Sequence, residues 1–420
     1  MPRPIGRPLP RGPPVEFIAQ TENAETHAGP KPRKAEPAGW FAVCSVMSAS
    51  FALVLSEFIP LGLLDELSRD LGVTEGRAGL FVVLPGLAAC IGAPLVTVLA
   101  GSTDRRRVLL LLSATVLASN IWVVFAPTFA VALIGRAALG FAVGGFWTIG
   151  PPTATRFVAD RHATRAASLV IGGISMATVI SLPLGAWIVV VTNWRWAFVV
   201  AAAFAFVAVC LEIVAVPRLA PVGSVRWSTL LGVFSTRKAR QCLGITVAAF
   251  GAHFATYTYV TPFVNQTGLP ESALPVVLLA FGLVGVVSNL VGGWVLDSRL
   301  RPVFSGALLI LGVALIVMPM TESLPALTVA LIFTWGISWG LIPLSLQIWI
   351  LAATPQARDG DQAMFVSVLQ LSLAGGSALG GVLVDWLDVR TDYFLAGVVA
   401  LLAGLATTWW LHGVQGRGAT

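Results

Sequence analysis

The 420-residue sequence predicts an all-α polytopic membrane protein of twelve transmembrane helices in two six-helix halves, with both termini cytoplasmic. Three observations carry that expectation. Hydrophobic residues make up 56 % of the chain and charged ones 11 %, whereas a soluble domain carries about 45–50 % and about 25 %. The apolar residues collect in runs of the roughly 20 residues that cross a bilayer. Lys and Arg sort to one side of those runs. The 42 glycines agree, because lipid-embedded helices use small residues to approach one another.

Taken in order, residues 1–39 hold nine of the 26 prolines with Arg3, Arg7, Arg11, Lys31, Arg33 and Lys34. Such a segment cannot bury a core and reads as a disordered basic cytoplasmic tail. No apolar run follows its first basic residues, so it does not read as a signal peptide. Apolar runs then fall at 40–64, 78–100, 108–126, 129–153, 166–191 and 195–217, which form an N-terminal bundle over 40–217. A hydrophilic linker, 218–240, separates them from runs at 241–264, 273–296, 303–320, 325–353, 362–384 and 391–412. These form a C-terminal bundle over 241–412, and 413–420 is a short tail. With the N-terminus inside, 21 of the 26 Lys and Arg lie on the cytoplasmic side. The positive-inside rule therefore sets the orientation.

The second span of each half ends in an acid followed by bases: AGSTDRRR around Asp104 and GGWVLDSRLR around Asp297. Their offset nearly equals that between the first and seventh spans, which indicates an internal repeat. Parallel six-helix repeats are a transporter architecture. A third echo, GGVLVDW, ends the eleventh run at Asp385 and Trp386.

Other classes fit poorly. The net charge of +6 comes from clusters between apolar runs, not from a basic groove, so no nucleic-acid partner is expected. Cys44, Cys90, Cys210 and Cys242 lack metal spacing and read as free, buried thiols. Of His27, His162, His253 and His412, only His253 is deep in a span, and no Gly-Lys-Ser/Thr phosphate loop is present. The chain therefore reads as neither an enzyme nor an ATPase, with no cofactor and no metal.

These motifs resemble the major facilitator superfamily over roughly residues 40–412. Its loop signature matches Asp104, Arg105 and Arg107, with Ala100 at its first glycine, and the second-half copy keeps Gly293, Asp297, Arg299 and Arg301. RAALGFAVGG supplies the superfamily's intramembrane arginine, Arg136. SLPLGAW resembles its antiporter motif, keeping Pro183 and Gly185 with Ser181 replacing a glycine. EFIPLGLL, DLGVTEGRAG and WRWAF are similar to bacterial drug:proton antiporters, and EFIP, STDRR, IGRAALGFAVGGFW and WGISWGLIP are similar to purine ribonucleoside efflux pumps. The resemblance implies a monomeric efflux transporter of a bacterial inner membrane that exchanges a small molecule for protons. Sugar or antibiotic exporters of the superfamily, and an uncoupled facilitator, are the alternatives. It also implies that the loop acids and bases latch neighbouring helices, including the start of the eleventh span, when the protein faces outward.

Ionisable residues inside spans are functional candidates by default. Glu57 lies about seven residues before the first span leaves on the outer side, and Arg136 about seven after the fourth enters there. Both sit roughly 10 Å below the surface. Antiport requires a carboxylate whose proton affinity changes with exposure, so Glu57 is the candidate proton carrier, with Arg136 as its tuning partner or as a pocket anchor. The alternatives are a purely structural ion pair or a Glu57 that snorkels to the interface. Candidate substrate residues by depth are Asn120, Trp147, His253, Tyr257, Trp335, Trp339 and Gln370. His253 with Tyr257, and Trp335 with Trp339, are i, i+4 pairs that share a helix face. Aromatic faces stack on a purine and amides read its edges. Each aromatic also has a plain role in the interfacial belt or in packing.

Overall fold

A computed structural model describes residues 37–219, 230–270, 273–321, 323–354 and 359–411. The expected basic tail up to residue 36, linker residues 220–229 and the tail 413–420 lie outside them. Among the described residues the chain is helical, with no strand. The long helices are α1 (Pro37–Phe58), α2 (Leu80–Leu99), α3 (Arg105–Val124), α4 (Phe129–Thr155), α5 (Ala163–Val191), α6 (Trp194–Ala215) and α7 (Arg237–Thr258). They continue with α8 (Leu274–Leu296), α9 (Ser298–Met320), α10 (Pro325–Ala353), α11 (Asp359–Trp386) and α12 (Val389–Trp410).

Their starts follow from residues that can cap exposed N–H groups. Asp104 accepts from the Arg106 N–H, Thr128 from Val131, Asn193 from Arg195, Thr236 from Ala239 and Asp388 from Thr391. The connection between the eighth and ninth runs is tight: α8 and α9 are two helices that meet at a kink at Arg299 (φ −134°, ψ 36°).

Eleven described helices are long and apolar enough to cross a membrane. The twelve-span count differs by α7, which forms over 22 residues but is not among the eleven. The cause is burial. Thr246, His253, Thr256, Tyr257 and Thr258 of α7 all face protein, and a helix that shows little surface to lipid does not need a lipid-like composition.

Helices before Leu219 pack chiefly on one another, as do those after Leu230. Small residues set the distances: a Cβ at Gly140 of α4 would lie 2.2 Å from the Pro85 carbonyl oxygen of α2, and one at Gly340 of α10 would lie 2.1 Å from the Gly285 oxygen of α8. Only glycine permits such backbone contact. The two sets meet along two seams, α2 with α11 and α5 with α8.

Candidate functional site

Between the two sets lies a cavity of about 310 Å³, walled by residues of α1, α4, α5, α7, α8, α10 and α11. Glu57, Trp147, His253, Tyr257, Trp339 and Gln370 all lie in its wall. Asn289 and Gln347 join them, with Asn289 also donating to the Gly340 carbonyl at 3.0 Å.

Glu57 comes from the last turn of α1 and is only 2 % exposed. Its Oε1 accepts from Gln370 Nε2 of α11 at 3.0 Å, so one hydrogen bond ties the two helix sets together at the cavity wall. The expected pairing with Arg136 is not formed. Arg136 is fully buried, and its guanidinium donates to backbone: Nη1 to Ser56 O (2.6 Å), Nη2 to Glu57 O (3.0 Å) and Nε to Phe81 O (2.7 Å). Matching depth brought the two residues to one level. The rotation of α4 turned the fork to carbonyls instead of the carboxylate, and it keeps Arg136 out of the cavity wall.

The opposite wall is aromatic. The His253 ring lies parallel to Trp339, with centroids 3.4 Å apart and planes at 1°, and stacks on Tyr257 at 4.8 Å. Trp335 is not part of the wall. It is fully buried behind His253, and its Nε1–H donates to His253 Nδ1 at 3.0 Å. That bond makes Nδ1 an acceptor and leaves the ring hydrogen on Nε2 in the neutral imidazole. Asn120 also differs from expectation. It donates to Ser56 Oγ (2.8 Å) and Val116 O (2.9 Å) in the α1–α3 interface, away from the cavity.

The antiporter-type residues Pro183 and Gly185 are buried in α5 outside the wall. A Cβ at Gly185 would lie 2.6 Å from the Ile59 carbonyl oxygen, so this stretch seats the turn that follows Glu57.

At the end of the molecule that carries Asp104, the acid accepts from the N–H groups of Arg106 (2.9 Å) and Leu219 (3.0 Å). Arg105 N donates to Leu219 O and Arg106 Nη2 to Ile213 O. The Leu219 bond foremost, helped by the Arg106 N–H and the charges of Arg107 and Arg218, holds the Asp104 carboxyl below the usual carboxylate range, against a smaller burial effect. The grip implied on the start of α11 belongs to the outward-facing state; here Asp104 holds the segment that follows α6. Arg107 and Arg299 are exposed and Arg301 is half-buried; the Asp297 side chain lies outside the description.

The other end is shut by contacts across the seam. Asp385 of α11 accepts from Thr74 Oγ1 (2.5 Å) and from Gly76 N (2.9 Å). Tyr259 OH donates to Gly76 O (3.5 Å), Thr261 Oγ1 donates to Leu61 O (3.2 Å), and Asn265 donates to Asp65. The VTEGRAG and GGVLVDW motifs are thus two sides of one closure, a pairing about which their positions in the sequence say nothing.

Two acids went unsingled in the sequence. Glu212 of α6 is fully buried and faces Ser113 of α3, yet neither oxygen is in hydrogen-bonding geometry. Asp392, at the start of α12, is likewise fully buried without a hydrogen-bond partner. The rule that singles out Glu57, an acid within an apolar run, finds Glu212 as well. Among the described residues no group of three or more His, Cys, Asp and Glu is placed to hold a metal ion.

Residues 46–370 match the family described as Major Facilitator Superfamily. The chain belongs to that superfamily. It is 33 % identical over 373 residues to "Transcription regulatory protein OpdE" of Pseudomonas aeruginosa, covering 88 % of this chain and 93 % of that one. It is 30 % identical over 394 residues to "Purine ribonucleoside efflux pump NepI" of an Escherichia coli strain, covering 94 % and 98 %. The fold is that of a D-xylose-proton symporter crystal structure (TM-score 0.70, 14 % identity, covering 88 % and 97 %). It also matches the human organic anion transporter MFSD10 (TM-score 0.64, 15 % identity, covering 89 % and 100 %). Like other members of the Major Facilitator Superfamily, the protein is a multi-pass membrane transporter and not an enzyme.

Proposed function

We propose that this protein exports a small molecule, foremost a purine ribonucleoside, in exchange for protons. The observation that carries the reading is the hydrogen bond between Glu57 and Gln370, which crosses from one helix set to the other at the wall of an aromatic cavity. A proton on Glu57 changes what its carboxyl can accept, and so changes the tie between the two sets. A substrate N–H that donates to the Glu57 carboxylate in place of Gln370 needs that carboxylate unprotonated. Proton and substrate thereby exclude one another at one point, which is the requirement of antiport. Alternating access follows as the end closed by Asp385 and Tyr259 opens while the Asp104 end closes.

Purines suit the cavity on three grounds. The Trp339–His253–Tyr257 stack offers flat faces, and Gln370, Gln347 and Asn289 offer amide edges. The volume of about 310 Å³ is at the small end of the roughly 300–1,000 Å³ of ligand pockets. Glu57 is the one formally charged residue in the described wall, so nothing there balances a phosphate, and a nucleoside fits where a nucleotide does not. The name of the NepI relative points to the same class. We place twelve spans across a bacterial inner membrane as a monomer of two six-helix bundles, 40–217 and 241–412, with both termini cytoplasmic on the positive-inside rule.

Everted vesicles with an imposed pH gradient test the proposal. Saturable, uncoupler-sensitive movement of inosine or guanosine supports it; movement confined to an unrelated drug or sugar, or indifferent to the gradient, rejects it.

A further inference from the structure

A fully buried guanidinium that spends its hydrogen bonds on backbone needs a reason, and the three carbonyls that Arg136 reaches supply one. In an α-helix the carbonyl of residue i accepts from the N–H of residue i+4. Four residues after Ser56 stands Pro60, and four after Phe81 stands Pro85. Proline has no N–H to give. Pro85 lies inside α2, so the Phe81 carbonyl has lost its α-helical donor. Pro60 lies in the 3-10 turn Ile59–Gly62 after α1, where its missing N–H leaves the Ser56 and Glu57 carbonyls one donor short; Arg136 holds all three. Water is a poor substitute there. Ser56 is fully buried, Phe81 likewise, and α4 lies so close to α2 that a Cβ at Gly140 would touch the Pro85 carbonyl oxygen.

We infer that Arg136 is a positioning residue whose planar fork replaces the two backbone donors missing at Pro60 and Pro85. Its third bond, to Glu57 O, fixes the residue that carries the proposed proton site. The carboxyl of Glu57 is aimed at Gln370 through its own backbone, which α4 holds from behind. EFIP, VVLP and IGRAALG thus form one unit, in which the arginine is needed because the prolines are there. A lysine is a compact point charge without the fork, so keeping the positive charge alone does not preserve the unit. The clamp itself is independent of what is transported; only its effect on coupling rests on the role proposed for Glu57.

The test uses the full-length protein in detergent and in proteoliposomes. Arg136→Met and Arg136→Lys should each lower the thermal midpoint by about 5–10 °C. Adding Pro60→Ala with Pro85→Ala should restore at least half of that loss in both, because the backbone regains its own donors. In proteoliposomes the restored Arg136→Lys protein, which keeps a positive charge at that place, should show the wild-type pH dependence of proton-coupled uptake. A lysine variant of wild-type stability would overturn the inference, as would proline replacements that leave both arginine variants unimproved. A restored Arg136→Lys protein with a displaced pH profile would overturn it too, since the regained backbone donors would then not have restored the proton site. The thermal readout needs no substrate, so failure of the clamp is distinguishable from failure of the nucleoside reading.

Discussion

Adding one methyl group at Gly76 should open the closed end of the transporter. The ideal Cβ of Gly76→Ala would lie 2.3 Å from the Gly381 carbonyl oxygen and 2.6 Å from Asp385 Cγ, whereas ordinary contact begins near 3.4 Å. The turn and α11 must therefore separate by about 1.1 Å, and the bonds from Thr74 and Gly76 to Asp385 stretch with them. Overpacking of this kind costs about 1–3 kcal/mol, borne by the closed form alone. The open-to-closed ratio at this end then rises about 5- to 150-fold. A suitable probe is Thr261→Cys, at a position 4 % exposed beside Leu61, with Cys44, Cys90, Cys210 and Cys242 replaced. Its labelling by a membrane-impermeant maleimide should accelerate by at least about fivefold when Gly76→Ala is added. An unchanged rate would refute the reasoning that these contacts hold the end shut.

Three further outcomes follow from the geometry. Trp339→Ala removes the ring parallel to His253 and should weaken purine nucleoside binding about tenfold or more, with Trp339→Phe intermediate; equilibrium dialysis showing less than a twofold change would remove the stack from the substrate site. Glu212→Leu replaces a buried carboxyl whose oxygens are out of hydrogen-bonding geometry, so it should raise thermal stability by about 1–3 kcal/mol while transport persists, because Glu212 lies off the cavity; a drop in the thermal midpoint would show that its approach to Ser113 of α3 stabilises the fold. Because Leu219 above all holds Asp104 below the usual carboxylate range, the loop's contribution should be complete at neutral pH and fade only as pH falls through that lowered value; amide exchange at Leu219, corrected for intrinsic rate, that loosens already above about pH 5 would contradict this.

The comparison of sequence with structure divides along depth and rotation. Depth was legible: Glu57 and Arg136 meet at one level, and Trp147, His253, Tyr257, Trp339 and Gln370 all reach the cavity. Rotation was not. Most of these helices are apolar on every face, so no polar stripe marks which side meets a neighbour. Asn120 and Trp335 lie at suitable depth yet face α1 and His253, and Arg136 faces carbonyls. Partners far apart in the chain were equally hidden, as in the bond between Gly76 and Asp385. The polarity of α7, which hides it from a hydropathy count, belongs to side chains turned into the protein, of which His253 and Tyr257 reach the cavity wall.

The central claim is that Glu57 carries the exchanged proton. The most direct measurement is proton release or uptake by proteoliposomes, followed with a pH-sensitive dye on adding nucleoside to wild-type protein and to Glu57→Gln. The variant should stay folded and bind nucleoside, with its amide still able to meet Gln370, but show no nucleoside-driven proton movement at any pH. Proton movement of wild-type size in Glu57→Gln would contradict it.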